Sequence, residues 1–206
     1  NMAQVPASHS PYGHECRSCW TVPEGKKLVG FDASGLELRM LAHYMNDKEF
    51  TDVLLTDDIH TRNQMAAGLE TRPQAKTFIY AFLYGAGDAK IGSIVGGSAT
   101  DGANLKQRFL RNTPALESLR ERVTRASGRG YLTGLDGRRL RVRSEHAALN
   151  TLLQAAGAIV MKKALVILDD YAQQWNLDYK LIGNIHDEVQ SEVAADQAEK
   201  YGWLAV

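Results

Sequence analysis

Two short apolar runs, Leu28 to Phe31 and Leu181 to Ile185, lie near opposite ends of the chain, and each leads into an acidic residue, Asp32 and Asp187. Apolar runs of this length bounded by turn-prone residues are expected to be strands. Most of what lies between them has helical periodicity, so the chain is confined to an α+β organisation: an antiparallel sheet with helices, plus a mainly helical portion. Adjacent strand ends can bring residues together that are distant in sequence. Two aspartates placed so repel each other unless protons or cations intervene. Hard oxygen ligands with room for water suit Mg²⁺, which usually binds one or two carboxylates together with substrate phosphates. The pattern therefore points to phosphoryl or nucleotidyl transfer, although either segment alone reads more readily as an ordinary surface hairpin ending in Asp-Glu.

The segment from Thr71 to Gly87 carries the second constellation. Thr71 is an N-cap with Gln74 completing a capping box, and Gly85 is a natural stop, so a helix is expected between them. Arg72, Lys76, Tyr80 and Tyr84 recur every fourth residue and form one stripe, while Phe78, Ile79, Phe82 and Leu83 can face a core. Two cations in the first turns oppose the helix dipole, at a cost of roughly 0.3–1 kcal/mol each unless an anion compensates. A triphosphate along those turns, with its base toward Tyr80 and Tyr84, satisfies every residue of the stripe. Taken alone, the segment reads equally well as a solvated amphipathic helix.

The 206 residues carry no formal net charge, and that length fits one large domain or two small ones. The distribution is uneven: basic residues crowd the stretch from Lys106 through Arg111, Arg120, Arg125 and Arg129 to Arg143, while acids collect near Asp32, Asp187 and the C-terminus. A basic surface beside an acidic cation site can hold a polyanion and still concentrate Mg²⁺. A share of these charges, with Glu117 and Glu121 as partners, reads as a solvated helix face. Cys16 and Cys19 are the only cysteines, with His9 and His14 nearby; the spacing is irregular for zinc, and reduced thiols are the expectation. No apolar run is read as approaching the ~20 residues of a membrane span, no secretory pattern opens the chain, and a soluble cytoplasmic protein is expected. Helical pattern runs from about Asp57 to Leu149, interrupted by Gly92, Gly96 and Gly97. Asp136-Gly137 marks a hairpin between Tyr131–Thr133 and Leu140–Val142. A long apolar helix is expected from Ala147 to Tyr171.

Together these segments resemble the family A DNA polymerases, the DNA polymerase I-like group, and among them the replicative polymerases of short-tailed bacteriophages. Asp32-Ala33-Ser34-Gly35-Leu36-Glu37-Leu38-Arg39 is similar to the family's motif A. Arg72 to Gly85 is similar to motif B, with its Arg-x3-Lys-x3-Tyr-x3-Tyr-Gly spacing, and His186-Asp187-Glu188 to motif C. Asn1 to Pro6, Asp58-Ile59-His60-Thr61 and His146 to Gln154 resemble three further blocks, so the likeness covers nearly the whole chain.

The resemblance implies a palm in two parts, residues 1–56 and 150–206, with fingers and a connecting hairpin from 57 to 149. It implies neither thumb nor 3′-5′ exonuclease in this chain, so that the missing segment of the same enzyme becomes an expected partner, with any processivity factor unassigned. Asp32, Asp187 and the Ala33 carbonyl would bind two Mg²⁺ ions, with Glu188 as an auxiliary carboxylate. Arg72, Lys76 and His60 would hold the triphosphate of a dNTP, Lys76 doubling as general acid for pyrophosphate. Tyr84 would lie near the nascent base pair, Tyr80 beneath the sugar, and Glu37 against C2′, where it excludes ribonucleotides. With Tyr rather than Phe at 80, weak discrimination against dideoxynucleotides is expected. Arg143, Asn150, Gln154 and His186 would contact primer-template DNA; without the resemblance, Asn150 and Gln154 read equally as a buried hydrogen-bonded pair. A single-subunit RNA polymerase, or a catalytically idle DNA-binding fragment, stand as alternatives. Glu37 argues against the first, and retention of Asp32, Asp187, Lys76 and Arg72 against the second.

Overall fold

The structure, a computed structural model, describes Val5, Pro6 and residues 8–206; most of the Asn1–Pro6 block lies outside the described residues. The chain forms two compact units, one from the residues up to Ser34 together with Ala158–Val206, the other from Gly35–Gly157. The first begins with α1 (Gly13–Ser18) and β1 (Lys26–Asp32). The second contains α2 (Leu36–Met45), α3 (Lys48–Thr56), α4 (Ile59–Ala67), α5 (Arg72–Leu83), α6 (Asp88–Ser93), α7 (Ala99–Arg111) and α8 (Pro114–Ser127), then the hairpin β2 (Tyr131–Thr133) and β3 (Arg139–Arg141). The helix α9 (Ala148–Gln174) begins in this unit and ends in the first, which closes with β4 (Tyr179–Ile185), β5 (Glu188–Ala194) and α10 (Ala198–Leu204).

In the sheet unit β5 lies between β1 and β4, and both pairings are antiparallel. Register runs from Lys26 opposite Ala194 to Asp32 opposite Glu188 on one side, and from Tyr179 opposite Val193 to Ile185 opposite Glu188 on the other. The alternation along β5 buries Val189, Ser191 and Val193 and sends Glu188, Gln190 and Glu192 to the opposite face. Val193 packs with Leu168 and Ala172 of α9 and Tyr201 of α10, and Val29, Phe31, Leu177 and Tyr179 extend this core. Its polar atoms are paired: the Ser191 and Tyr201 hydroxyls share a 2.8 Å hydrogen bond, and the Tyr179 hydroxyl donates to the Asp169 carboxylate. Desolvation first, and then the Asp169 carboxylate, push the Tyr179 phenol up to about 12.

The helical unit is built around α5. Its N-terminus has the expected capping box, Thr71 accepting from the Gln74 amide while the Gln74 side chain accepts from Thr71 N–H. Phe78, Ile79, Phe82 and Leu83 are buried, and the rings of Phe78 and Phe82 meet Phe109 of α7 edge to face at 5.1 and 5.5 Å between centroids, a preferred aromatic geometry. Gly85 follows with φ 75°, the left-handed conformation that glycine tolerates best.

Two expectations need correction. Gly92 does not interrupt a helix. It lies inside α6, buried against α7: a Cβ on Gly92 would run into the Ser98 carbonyl, and one on Gly102 into the Asp88 carbonyl and Gly92 amide. The glycine permits backbone contact between the two helices rather than ending one of them. The apolar stretch near the C-terminus is also longer than expected. The helical run Glu145–Gln174 is long and apolar enough to cross a membrane by length and composition, and 39 % of its most apolar stretch is buried within the protein. No proline falls in that run and its one glycine, Gly157, is accommodated within the helix, so α9 continues past Tyr171 to Gln174.

Candidate active site

In the sheet unit, backbone geometry places the acidic residues. β1 ends at Asp32, and β4 turns into β5 through the two-residue loop His186-Asp187. Ala33 N–H donates to the Asp187 carbonyl at 3.0 Å, joining the two acidic segments just beyond the ladder. Asp32 lies opposite Glu188 in register. His186 holds φ 60°; a positive φ at the first loop position follows the twist of a two-residue hairpin, and a non-glycine residue there carries local strain. Glu188 accepts from the Gln190 side-chain amide. Gly30, on the neighbouring strand, leaves the room that amide needs, since a Cβ there would sit 2.5 Å from its Nε2. A cavity of about 390 Å³ opens beside His186, Asp187 and Glu188, with Trp20, Leu28 and Ile182 among its walls.

These groups are oxygen donors of the kind a hard cation takes. Among the described residues, however, no three His, Cys, Asp or Glu side chains are gathered closely enough to hold a metal by themselves. The set fits the Mg²⁺ pattern of one or two carboxylates completed by water and substrate phosphates, and does not fit an all-protein cage. Cys16 and Cys19 are free thiols.

In the helical unit, side chains position one another. Arg72 and Lys76 are exposed on the first turns of α5, Tyr80 is half-buried and Tyr84 exposed. For Arg72, the compensation that a cation at a helix N-terminus requires is supplied within the protein. Arg72 Nε donates to Asp58 Oδ2 at 2.5 Å and Nη2 to Oδ1 at 3.1 Å. Asp58 is also the N-cap of α4, accepting from His60 N–H at 3.0 Å and from the Thr61 hydroxyl at 2.8 Å. The Arg72 hydrogen bonds, aided by Thr61, hold the Asp58 carboxyl far below the usual carboxylate range.

His60 stands next in this group, its ring centroid 6.2 Å from that of Tyr80. Burial first, and then the Arg72 guanidinium, lower its pKa, which favours the neutral imidazole; its Nδ1 is buried with no hydrogen-bond partner. At the other end of the stripe the Tyr84 hydroxyl donates to Glu37 Oε1 at 3.0 Å. Glu37 lies in the first turn of α2, where its charge also suits the helix dipole.

The residues expected to meet DNA belong to both units. Arg143 is exposed after β3, and Asn150 and Gln154 lie one turn apart on α9, half-buried and exposed respectively. His186 belongs to the sheet unit's hairpin. Several basic residues of the stretch serve the helical unit's own structure: Lys106 donates to the Ala86 carbonyl and pairs with Asp88, Arg120 lies over the Phe82 ring, and Arg122 donates to the Tyr44 carbonyl.

Two residues given no role by sequence reading stand out. Asp58 was legible only as part of a block, although an aspartate before Ile59 is a ready helix N-cap. Gln190 carries no signal beyond its place two residues after Glu188, on the same face of β5.

The strand-end carboxylates, the cationic and aromatic stripe and the α+β architecture converge on one class. The chain belongs to DNA polymerase family A, whose family model matches residues 1–205. Among its relatives, the DNA-directed DNA polymerase of Enterobacteria phage T3 is 44% identical, over 97% of this chain and 33% of its own length, and that of Escherichia phage T7 is 45% identical, over 92% and 32%. DNA polymerase I of Pseudomonas aeruginosa is 28% identical over 97% of this chain and 24% of its own. The chain thus spans about a third of the length of the phage relatives. Among solved structures, the POL domain of Pol1 from M. smegmatis, in complex with DNA primer-template and dNTP, superposes with a TM-score of 0.87 at 22% identity, covering 100% of this chain and 40% of that one. That likeness bears on the fold, and the expected antiparallel sheet with helices and mainly helical second unit agrees with it.

Proposed function

We propose that this chain carries the nucleotidyl-transfer centre of a DNA-templated DNA polymerase, with residues 1–56 and 150–206 as palm and 57–149 as fingers and connecting hairpin, so that the sheet unit is palm while the helical unit takes in the fingers together with α2, α3 and the start of α9. The observation that carries the reading is the Ala33–Asp187 backbone hydrogen bond, which ties the Asp32 segment to the Asp187 hairpin in a member of this family. The substrates are dNTPs and the 3′-hydroxyl of a primer paired to template DNA, and the cellular setting is the cytoplasm.

Asp32 and Asp187, with the Ala33 carbonyl, are the groups that would hold Mg²⁺, and Glu188 adds charge nearby. When bound there, the metal supplies Lewis-acid activation of the hydroxyl and charge stabilisation at the leaving group. Arg72 and Lys76 bind the triphosphate from the first turns of α5, and the neutral imidazole of His60 can add a hydrogen bond to it. Lys76 donates a proton to the departing pyrophosphate, a step that a positioned ammonium performs while neutralising developing charge. Tyr80 supports the sugar, and Glu37, held by the Tyr84 hydroxyl, closes the space at C2′ and so selects deoxyribose. Asn150, Gln154, Arg143 and His186 contact the primer-template; amide donors suit the minor groove, where every base pair presents acceptors.

Primer extension with Mg²⁺, using the protein carrying this chain beside its Asp187→Ala and Asp32→Ala variants, tests the reading. Loss of extension with unchanged melting supports it. Extension unaffected by either substitution overturns the metal assignment.

A further inference from the structure

We propose that Asp58 is a positioning residue for nucleotide binding: it fixes the Arg72 guanidinium so that the edge left over faces the triphosphate. The inference rests on the reading of Arg72 as a phosphate ligand and goes beyond it by naming what aims that ligand.

The geometry carries the proposal. A guanidinium has five N–H donors in a rigid fork. Asp58 takes the side edge, through Nε and one N–H of Nη2, which leaves both N–H of Nη1 and the second of Nη2. One N–H of Nη1 and the remaining N–H of Nη2 form the end-on edge, which suits a phosphate with two oxygens in reach. Asp58 is itself held by its carboxylate and by its backbone. It caps α4 through the His60 amide, accepts from the Thr61 hydroxyl, and has its own backbone N–H bonded to the Asp57 side chain at 2.7 Å. Arg72 is thus referenced to the start of α4 and through it to His60, another candidate phosphate ligand. Two phosphate-binding groups on different helices are registered by one carboxylate.

A negative charge beside a triphosphate site has two opposed consequences. It repels the phosphates, and it pre-orders a long side chain that would otherwise be fixed at the moment of binding. The guanidinium at hydrogen-bond distance already cancels most of the carboxylate's field, so the ordering effect dominates. Removing the charge while keeping the cap should therefore weaken nucleotide binding.

Asn is as good an N-cap as Asp, so Asp58→Asn retains the α4 start and abolishes the bidentate ion pair. Ser is the second choice, should the Asn variant fold poorly. In the protein carrying this chain, Asp58→Asn is expected to raise the dNTP KM, and the dissociation constant for inorganic tripolyphosphate, by about tenfold. The change in kcat should be smaller and the melting temperature should match the wild type. Arg72→Ala should raise both constants at least as much, and Asp58→Asn should add nothing further in the Arg72→Ala background. If Arg72→Ala raises them and Asp58→Asn does not, or tightens binding, the positioning role is overturned. If Arg72→Ala leaves both constants unchanged, the reading of Arg72 as a phosphate ligand is what fails. Equal effects of Asp58→Asn on tripolyphosphate binding with and without Arg72 would also defeat the proposal, since Asp58 would then act independently of Arg72.

Discussion

The two units hold their candidate residues by different means. In the sheet unit, position follows from backbone register: Asp32 ends a ladder opposite Glu188, and the Asp187 carbonyl accepts the next amide of the β1 segment. In the helical unit the candidate groups are set by side chains acting on other side chains, Asp58 on Arg72 and Tyr84 on Glu37. Backbone register is shared by many residues and tolerates the loss of any one side chain. A side-chain pair is lost with either partner. Substitution in the sheet unit should therefore remove chemistry while leaving the placement of the other candidate groups intact, whereas in the helical unit loss of one side chain should also displace its partner.

The largest expected effect tests the first half of that contrast. Asp187→Ala removes a carboxylate from a hairpin whose backbone bonds remain. A metal-centred charge stabilisation of several kcal/mol corresponds to a loss of about 10²–10⁴-fold in kcat for primer extension. The melting temperature should stay close to the wild type. A loss of activity matched by a loss of folded protein would show that the carboxylate supports the hairpin and that register alone does not.

The next effect belongs to the helical unit. Gly102→Ala sets a methyl against the Asp88 carbonyl and Gly92 amide, backbone atoms that cannot swing aside. Overpacking of this kind costs about 1–3 kcal/mol, read as a lower midpoint in urea. Because α6 and α7 follow α5 in the same core, nucleotide KM should rise alongside. Unchanged stability would mean the two helices have freedom to separate.

Much of this was open to sequence reading, for reasons that differ by residue. Asp32 and Asp187 could be placed at strand ends because apolar runs stop at them, and a strand's end is a local property. The capping box at Thr71 and Gln74 is equally local. The Asp58–Arg72 pair was not legible, because it depends on how α4 packs on α5, and no periodicity encodes that. Gly92 was misread for the same cause: a glycine that breaks a helix and one that admits a neighbouring backbone look alike in sequence. Asp32 and Asp187 were legible as metal-binding chemistry and the Ala33 carbonyl only through the family resemblance, but the absence of any three-ligand cluster among the described residues emerged only in three dimensions.

Smaller effects separate specificity from stability within the helical unit. Tyr80→Phe should strengthen discrimination against dideoxynucleotides, by about tenfold if the phenol contributes one hydrogen bond's worth of compensation for the absent 3′-hydroxyl. Steady-state incorporation of the two nucleotides by wild type and variant reads this directly, and equal selectivity would remove Tyr80 from the sugar's surroundings. Tyr84→Phe deletes the donor to Glu37. The bond is exposed, so the stability cost should be under about 1 kcal/mol, but Glu37 should wander and ribonucleotide incorporation should rise. If ribonucleotide exclusion is unchanged, Glu37 is fixed by something other than Tyr84.

The smallest effect returns to the sheet unit, where one side-chain pair does support the core. Tyr179 donates to Asp169 and its phenol is pushed up to about 12, by desolvation first and then by that carboxylate. An unfolded tyrosine ionises near 10. Below that pH both states keep the proton and the Tyr179 contribution is complete. Between about 10 and 12 the unfolded chain loses its proton while the folded one retains it, so ionisation favours unfolding and the contribution declines. It is gone once the pH has passed the folded value. Tyr179→Phe should therefore lower stability by under about 1 kcal/mol at pH 8, and the gap between variant and wild type in urea unfolding should narrow as the pH rises from 10 toward 12. A gap that stays constant over that interval would mean the phenol is not specially protected in the folded protein. Beside the Ser191–Tyr201 hydroxyl pair, the sheet unit would then rest on register and apolar packing, and its contrast with the helical unit would sharpen.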